Sequence, residues 1–288
     1  MRAARRILIV AVLTIAVTAC ARRPAVGARV DDGGALVAAE GDAAASVDAV
    51  RVLEGAEQIE LAVDGGAPLG VVAVPVGARA PRPIMIALHG GSDHPEWACA
   101  AWRGITSAYP FVVCPRGVGA TNALAWSGPA DTRARVDRAV AATRARFGDW
   151  VRPTTTLVLV GFSMGATQTA LLAQSEPKRY PRVTLAESAY APEPALAFAA
   201  PWARGGGERA IFLCTTDGCE ATYRNAARNV AAQRSRARLV IAGTHAHGMW
   251  DQVVRAMRRD WPWLVEGAEG WNEYVAPTED FPGRSESY

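Results

Sequence analysis

A serine between two glycines is the residue of this sequence best suited to nucleophilic chemistry. Ser163 is the centre of the pentapeptide GFSMG (161–165), which directly follows the apolar run 157–160. A buried strand, a G-x-S-x-G turn and a following helix form a nucleophile elbow, which lifts the serine hydroxyl above the end of a sheet. The glycines leave room for the strand and helix to approach each other. The pattern therefore predicts Ser163 as a nucleophile.

A serine hydroxyl needs a neighbouring base, and an acid that orients this base, before it attacks a carbonyl carbon at neutral pH. In chains with this elbow, the partners follow in the order serine, acid, histidine. Asp217 follows the predicted strand 210–214 and is predicted as the acid. His247 is the preferred base, because a glycine and a predicted helix follow it, and His245 is the alternate base.

An attacked carbonyl also needs two hydrogen-bond donors for its developing oxyanion. The backbone N–H of Met164 is one predicted donor. The second is expected from the segment HGGS (89–92), where we choose Gly91 and keep Ser92 as the alternative. His89 is expected to brace this segment through hydrogen bonds.

The same histidines allow a metal-based alternative, since His245, His247 and Asp251 resemble a set of metal ligands. The chain has four histidines in all, and the other two, His89 and His94, form no second cluster with metal-ligand spacing. We therefore predict neither a metal nor a cofactor.

The elements that position these residues are predicted from apolar runs and helical periodicity. Residues 59–63 and 71–76 are expected to form an antiparallel pair, and 187–207 is expected to be largely a loop. Further strands are predicted at 84–88, 111–114, 157–160, 182–186, 210–214 and 238–242, and helices at 131–147, after 165, at 220–234 and after 248. This alternation predicts an α/β fold, a doubly wound, mostly parallel sheet with helices on both faces.

Composition agrees with one catalytic domain and excludes some partners. The chain has 288 residues, half of them hydrophobic, and a net charge of +3 from bases that are mixed with acids. Neither a nucleic-acid surface nor a dedicated anion-binding surface is predicted. The protein is expected to be a monomer.

The N-terminus predicts export. Three arginines precede an apolar run at 7–17, and the run ends in VTAC (17–20), the pattern of a bacterial lipobox. We predict a lipoprotein signal peptide at 1–19, lipid attachment at Cys20, a flexible tether at 20–50, a catalytic domain at 51–265 and a C-terminal tail at 266–288. No acid follows Cys20 directly, which favours the outer membrane. An ordinary signal peptide with secretion, or an uncleaved N-terminal anchor, is the alternative.

Four cysteines remain after Cys20, an even number that suits disulfides in an oxidising compartment. Four cysteines permit three pairings. The favoured pairing joins Cys214 to Cys219 in a small loop, and Cys99 to Cys114.

The segments HGGS and GFSMG, an acid after the penultimate parallel strand and a late His-Gly resemble the α/β-hydrolase superfamily over about residues 52–260. Within it, the LHGG and CPRG segments resemble small secreted esterases of the carboxylesterase, feruloyl esterase and polyester depolymerase types. The resemblance implies a serine hydrolase that cleaves small-molecule or polymer esters through an acyl-enzyme. A peptidase or amidase, and a non-catalytic lipid-anchored envelope protein, are the alternatives. Trp97, Trp102, Trp126 and residues 191–202 follow strand ends, where an acyl pocket would lie, and core packing is the alternative explanation for each tryptophan.

Overall fold

Nine strands form one sheet in the computed structural model, which describes residues 51–62, 66, 68–188, 192–216, 218–243 and 246–288. The strands are β1 (Gln58–Leu61), β2 (Gly70–Ala73), β3 (Ile84–Leu88), β4 (Phe111–Pro115), β5 (Val158–Phe162), β6 (Arg182–Ala186), β7 (Arg209–Cys214), β8 (Arg236–Ile241) and β9 (Arg284–Ser287). The helices are α1 (Pro95–Ile105), α2 (Pro129–Phe147), α3 (Met164–Ser175), α4 (Pro192–Arg204), α5 (Glu220–Ala231) and α6 (Asp251–Val265).

The sheet is parallel through its centre and antiparallel at both margins. Its order is β1-β2-β4-β3-β5-β6-β7-β8-β9. Strands β4, β3, β5, β6, β7 and β8 run parallel, whereas β1, β2 and β9 pair antiparallel with their neighbours. Strand β5, which leads to Ser163, therefore lies in the middle.

Helices cover both faces because the central strands are apolar on both faces. Ile84, Ile86 and Leu88 of β3 belong to the core beneath α2, α3, α4 and α5. Met85 and Ala87 belong to the second core, beneath α1 and α6. The predicted fold class, a doubly wound and mostly parallel α/β sheet, is confirmed.

Two parts of the chain differ from the simple sequence interpretation. The expectation of a loop over 187–207 is wrong for α4, which buries Phe198 and Trp202 in the first core. The predicted tail 266–288 contributes β9, which pairs with β8, and the buried Trp271. The apolar residues of α4 do recur at helical spacing, but its three prolines argue against a helix. The residues of β9, RSES, show no apolar strand pattern.

The predicted signal peptide (1–19), Cys20 and the tether (20–50) lie outside the described residues. Among the residues that are described, no helix combines the length and hydropathy that crossing a membrane requires. Both favoured disulfides are present, Cys99 with Cys114 and Cys214 with Cys219.

Candidate active site

Ser163 lies at the junction of β5 and α3, in the backbone conformation that an elbow requires. Its φ is 53° and its ψ is −120°, and Met164 begins the helix directly after it. A Cβ atom on Gly161 would overlap the carbonyl of Gly165, and one on Gly165 would overlap the carbonyl of Leu88. Only glycine therefore fits at both positions. Ser163 lines a cavity of about 560 Å³.

His247 lines the same cavity as Ser163. It lies in the loop between β8 and α6, and its ring centroid is 4.7 Å from that of Phe162, the residue before Ser163. The His247 Nδ1 atom is 3.4 Å from Glu187 Oε2. Because an ionised carboxylate only accepts hydrogen bonds, Nδ1 carries the proton and donates. The distance is long, as is common for catalytic hydrogen bonds in ligand-free sites.

Glu187 is the acidic partner that the structure provides for His247. It follows β6 directly and its side chain is buried. The backbone N–H groups of Thr215 and Thr216 donate to its Oε1 atom, and the Thr216 hydroxyl donates to Oε2 at 3.0 Å. Burial alone would raise the pKa of Glu187, but the hydrogen bonds from His247, Thr215 and Thr216 outweigh burial and lower the pKa below its ordinary value. Glu187 is therefore a carboxylate at neutral pH.

The structure does not describe two of the residues that were predicted as acid or base. Asp217, the predicted acid, and His245, the alternate base, lie outside the described residues. Glu187 was not predicted from the sequence, because the acid was expected after the penultimate parallel strand. The available signal was an acid directly after 182–186, the predicted strand that follows the nucleophile elbow.

The loop after β3 contains one backbone N–H group that is available to bind an oxyanion. The Gly90 N–H donates to Asp93 Oδ2 at 3.1 Å, and the Ser92 N–H donates to the Leu124 carbonyl at 2.7 Å. Within the described part of the chain, the Gly91 N–H has no acceptor. This leaves Gly91 rather than Ser92 as the available donor.

The second predicted donor, Met164, lies at the first position of α3. The amides of a first helical turn have no partner inside the helix. They also lie at the positive end of the helix dipole, where negative charge is stabilised. Gly91 contacts the Met164 side chain closely, since a Cβ atom on Gly91 would lie 3.1 Å from Met164 Cε. Both donors therefore belong to one corner of the cavity.

His89 braces residues 89–92 after β3, the candidate oxyanion loop, through both of its ring nitrogens. The His89 Nδ1 atom is 2.7 Å from the Gly90 carbonyl, and the Gly117 N–H donates to Nε2 at 3.0 Å. Trp126 Nε1 donates to the His89 carbonyl at 2.9 Å. Burial lowers the pKa of His89, so the ring is neutral with its proton on Nδ1. Trp126 thus belongs to this brace rather than to the acyl pocket.

A cation site is not built into the described residues. The one group of three candidate ligands found there is Glu187, Cys214 and Cys219. The two sulfur atoms are bonded to each other in a disulfide. They therefore have no thiolate to offer to a metal.

Comparisons with known proteins give a fold but no family. No protein-family model and no curated protein matches the sequence. Among solved structures, Est1E from Butyrivibrio proteoclasticus, solved with ferulic acid bound, has a TM-score of 0.51 and 13% identity, over 67% of this chain and 94% of that one. An uncharacterized protein from Bacillus cereus has a TM-score of 0.50 and 9% identity, over 67% of this chain.

The match spans only 62% of the Bacillus cereus protein. A putative dienelactone hydrolase from Klebsiella pneumoniae is also similar, with a TM-score of 0.48 and 18% identity over 68% of this chain and 92% of that one. At these identities, the first two matches establish the fold alone. Together with the sheet order and the elbow, they show that this chain has the α/β-hydrolase fold.

Proposed function

We propose that this protein is a serine hydrolase that cleaves carboxylic esters through an acyl-enzyme intermediate. The observation that carries the proposal is the contact between His247 and the buried Glu187 carboxylate. His247 also lines the same cavity as Ser163. A nucleophile, a base and an acid that orients the base are the three groups that acyl transfer needs.

In the proposed reaction, Ser163 Oγ attacks the ester carbonyl carbon and transfers its proton to His247 Nε2. Glu187 holds the imidazole through Nδ1 and stabilises the positive charge that the ring acquires. The Gly91 and Met164 amides stabilise the oxyanion of the tetrahedral intermediate. His247 then protonates the leaving alkoxide, and a water molecule activated by the same histidine releases the acid from Ser163.

The experiment that tests this function compares the wild type with Ser163→Ala on p-nitrophenyl butyrate and on aminoacyl p-nitroanilides. Ser175→Ala is the matched control, because Ser175 lies at the other end of α3, where its hydroxyl donates to the Leu172 carbonyl. We expect Ser163→Ala to lose at least about 10³-fold in kcat on the ester, and a fluorophosphonate to label only proteins that retain Ser163. Equal ester turnover by wild type and Ser163→Ala would refute the proposal. Faster turnover of the anilides would assign a peptidase instead.

We further propose that lipid at Cys20 holds the enzyme on the bacterial envelope, with the outer membrane as the favoured site. The lipobox pattern at 17–20 supports this proposal. Metabolic labelling with a fatty acid should mark the wild type and leave Cys20→Ser unlabelled, with Cys20→Ser recovered in the soluble fraction. Labelling of both proteins would contradict lipid attachment at Cys20.

A further inference from the structure

Exposed apolar side chains are concentrated at the mouth of the active-site cavity. The described residues include six large hydrophobic side chains that are exposed, and three of them, Trp97, Met164 and Trp250, line this cavity. Trp97 is 63% exposed and Trp250 is 59% exposed. Apolar groups that cluster in this way on a protein surface mark a binding site more often than chance exposure. The two indoles therefore form a rim that is ready to contact a ligand.

Both indoles are held in position before any ligand arrives. The ring of Trp250 lies against the backbone of Gly248, where a Cβ atom would overlap the indole. The ring centroid of Trp97 is 4.3 Å from that of His94. Because these contacts restrict the rings, ligand binding costs less side-chain entropy than it would with unsupported indoles.

The described residues that line the cavity include no Lys or Arg side chain with which to recognise an anionic acyl chain. Asp93 is the one Asp, Glu, Lys or Arg side chain among its described lining residues. Its carboxylate oxygens already accept hydrogen bonds from the Gly90 N–H at 3.1 Å and the His94 N–H at 2.7 Å. The described lining thus includes no Lys or Arg for an anionic acyl group, and its one carboxylate is engaged within the loop after β3. Trp102, Phe162 and Met249 add further apolar surface.

We propose that the substrate of this site is an uncharged ester with a large apolar acyl group, which fills the cavity and extends across Trp97 and Trp250. The cavity volume of about 560 Å³ lies within the range of about 300–1,000 Å³ that holds whole small molecules, far more space than an acetyl group needs. This inference rests on the proposed ester hydrolysis and adds the class of acyl group.

The test measures kcat/KM for p-nitrophenyl acetate, p-nitrophenyl octanoate and the p-nitrophenyl monoester of succinate. The wild type is expected to prefer octanoate over acetate, and acetate over the anionic succinate monoester. The octanoate-to-acetate ratio should fall about tenfold in Trp97→Ala and in Trp250→Ala, as expected when apolar contacts to the acyl chain are removed. Trp97→Phe and Trp250→Phe should restore part of the ratio.

Val275→Ala is the matched control, since Val275 is 80% exposed and does not line the cavity. It should keep the wild-type ratio, and circular dichroism should show that every variant is folded. An unchanged ratio in both tryptophan-to-alanine variants, or a wild-type preference for the succinate monoester, would overturn the inference while leaving ester hydrolysis intact. If wild type and Ser163→Ala hydrolyse all three esters equally, the proposed function fails and the inference fails with it.

Discussion

Three non-glycine residues of the candidate site have the positive φ angles that side chains disfavour. Ser92 in the oxyanion loop has a φ of 54°, Ser163 one of 53° and Glu187 one of 54°. Such conformations cost about 1–3 kcal/mol each and persist where the surroundings enforce them, typically at functional sites. The enforcing contacts are visible: the Ser163 N–H donates to the Ala186 carbonyl at 2.8 Å, and the Glu187 N–H donates to the Leu213 carbonyl at 3.0 Å.

The role of Glu187 is testable by a substitution that keeps its size and removes its charge. Glu187→Gln should lower kcat about 10³- to 10⁴-fold with little change in KM, because a neutral amide neither fixes the imidazole tautomer nor stabilises the imidazolium ion. Steady-state kinetics on p-nitrophenyl butyrate would measure the effect.

Asp217→Asn is the paired variant, because Asp217 was the acid that the sequence predicted. A loss of more than about 10³-fold in Asp217→Asn, with Glu187→Gln nearly as active as wild type, would transfer the role to Asp217. The reverse result would establish Glu187 as the residue that positions His247.

His89 makes the stability of the oxyanion loop depend on pH. Burial holds its folded-state pKa below the ordinary 6.5. His89 is therefore protonated more readily in the unfolded chain than in the native protein. As a result, the free energy of unfolding falls as the pH drops below about 6.5. Above this pH, the neutral His89 ring makes its full contribution to the free energy of unfolding.

His89→Gln should reduce the pH dependence of stability below pH ~6.5, because glutamine does not titrate. Urea unfolding at several pH values would measure the difference, and the other histidines cancel in the comparison. If the free energy of unfolding varied with pH equally in wild type and variant, His89 would not be the group that causes the pH dependence.

At the scale of elements, the short loop after β7 holds the acid of the candidate triad. The Cys214–Cys219 disulfide closes this loop, and two of its amides, those of Thr215 and Thr216, donate to Glu187. Replacing both cysteines by alanine should free the loop and displace Glu187. We expect kcat to fall by up to about 10²-fold, since small displacements of catalytic groups have effects of this size.

The second disulfide provides the control. Cys99–Cys114 joins α1 to β4 and supplies none of the hydrogen bonds described for Glu187. Its removal should lower stability by about 3 kcal/mol through the unfolded chain. Kinetics should be measured well below the melting temperature of both double variants. An equal loss of kcat in the two would contradict a specific role for the Cys214–Cys219 loop.

At the scale of the whole molecule, the end of the chain completes the sheet. Strand β9 pairs antiparallel with β8, and Glu286 forms an ion pair with Arg224 of α5 at 2.8 Å. Ending the chain at Asp280 removes both and exposes the β8 edge. We expect the melting temperature to fall by more than about 5 °C, measured by thermal unfolding.

Glu286→Gln separates the two contributions to this effect. It removes the ion pair and keeps the strand, and a surface ion pair contributes only about 0–1 kcal/mol. Its melting temperature should therefore stay near that of the wild type. A truncated protein as stable as the full chain would mean that β9 adds nothing to the sheet.

Local patterns made much of this fold predictable. Residues 84–88 form an apolar run of strand length that matches β3. The predicted strand 182–186, in which Val183, Leu185 and Ala186 are apolar, matches β6. The elbow around Ser163 was readable because its glycines and its preceding strand are adjacent in sequence. Helix α4 was missed because the prolines at 192, 194 and 201 argue against a helix in isolation, whereas burial of Phe198 and Trp202 stabilises one.

The sequence by itself determined the nucleophile candidate and the alternation of strands and helices, because both depend on neighbouring residues. Tertiary structure brought Glu187 to His247. Glu187 and His247 are 60 residues apart and meet only because β6 and β8 end at the same edge of the sheet. It also decided between Gly91 and Ser92, since the Ser92 amide is occupied by Leu124 from a distant loop. Such pairings depend on strand order, which no local pattern records.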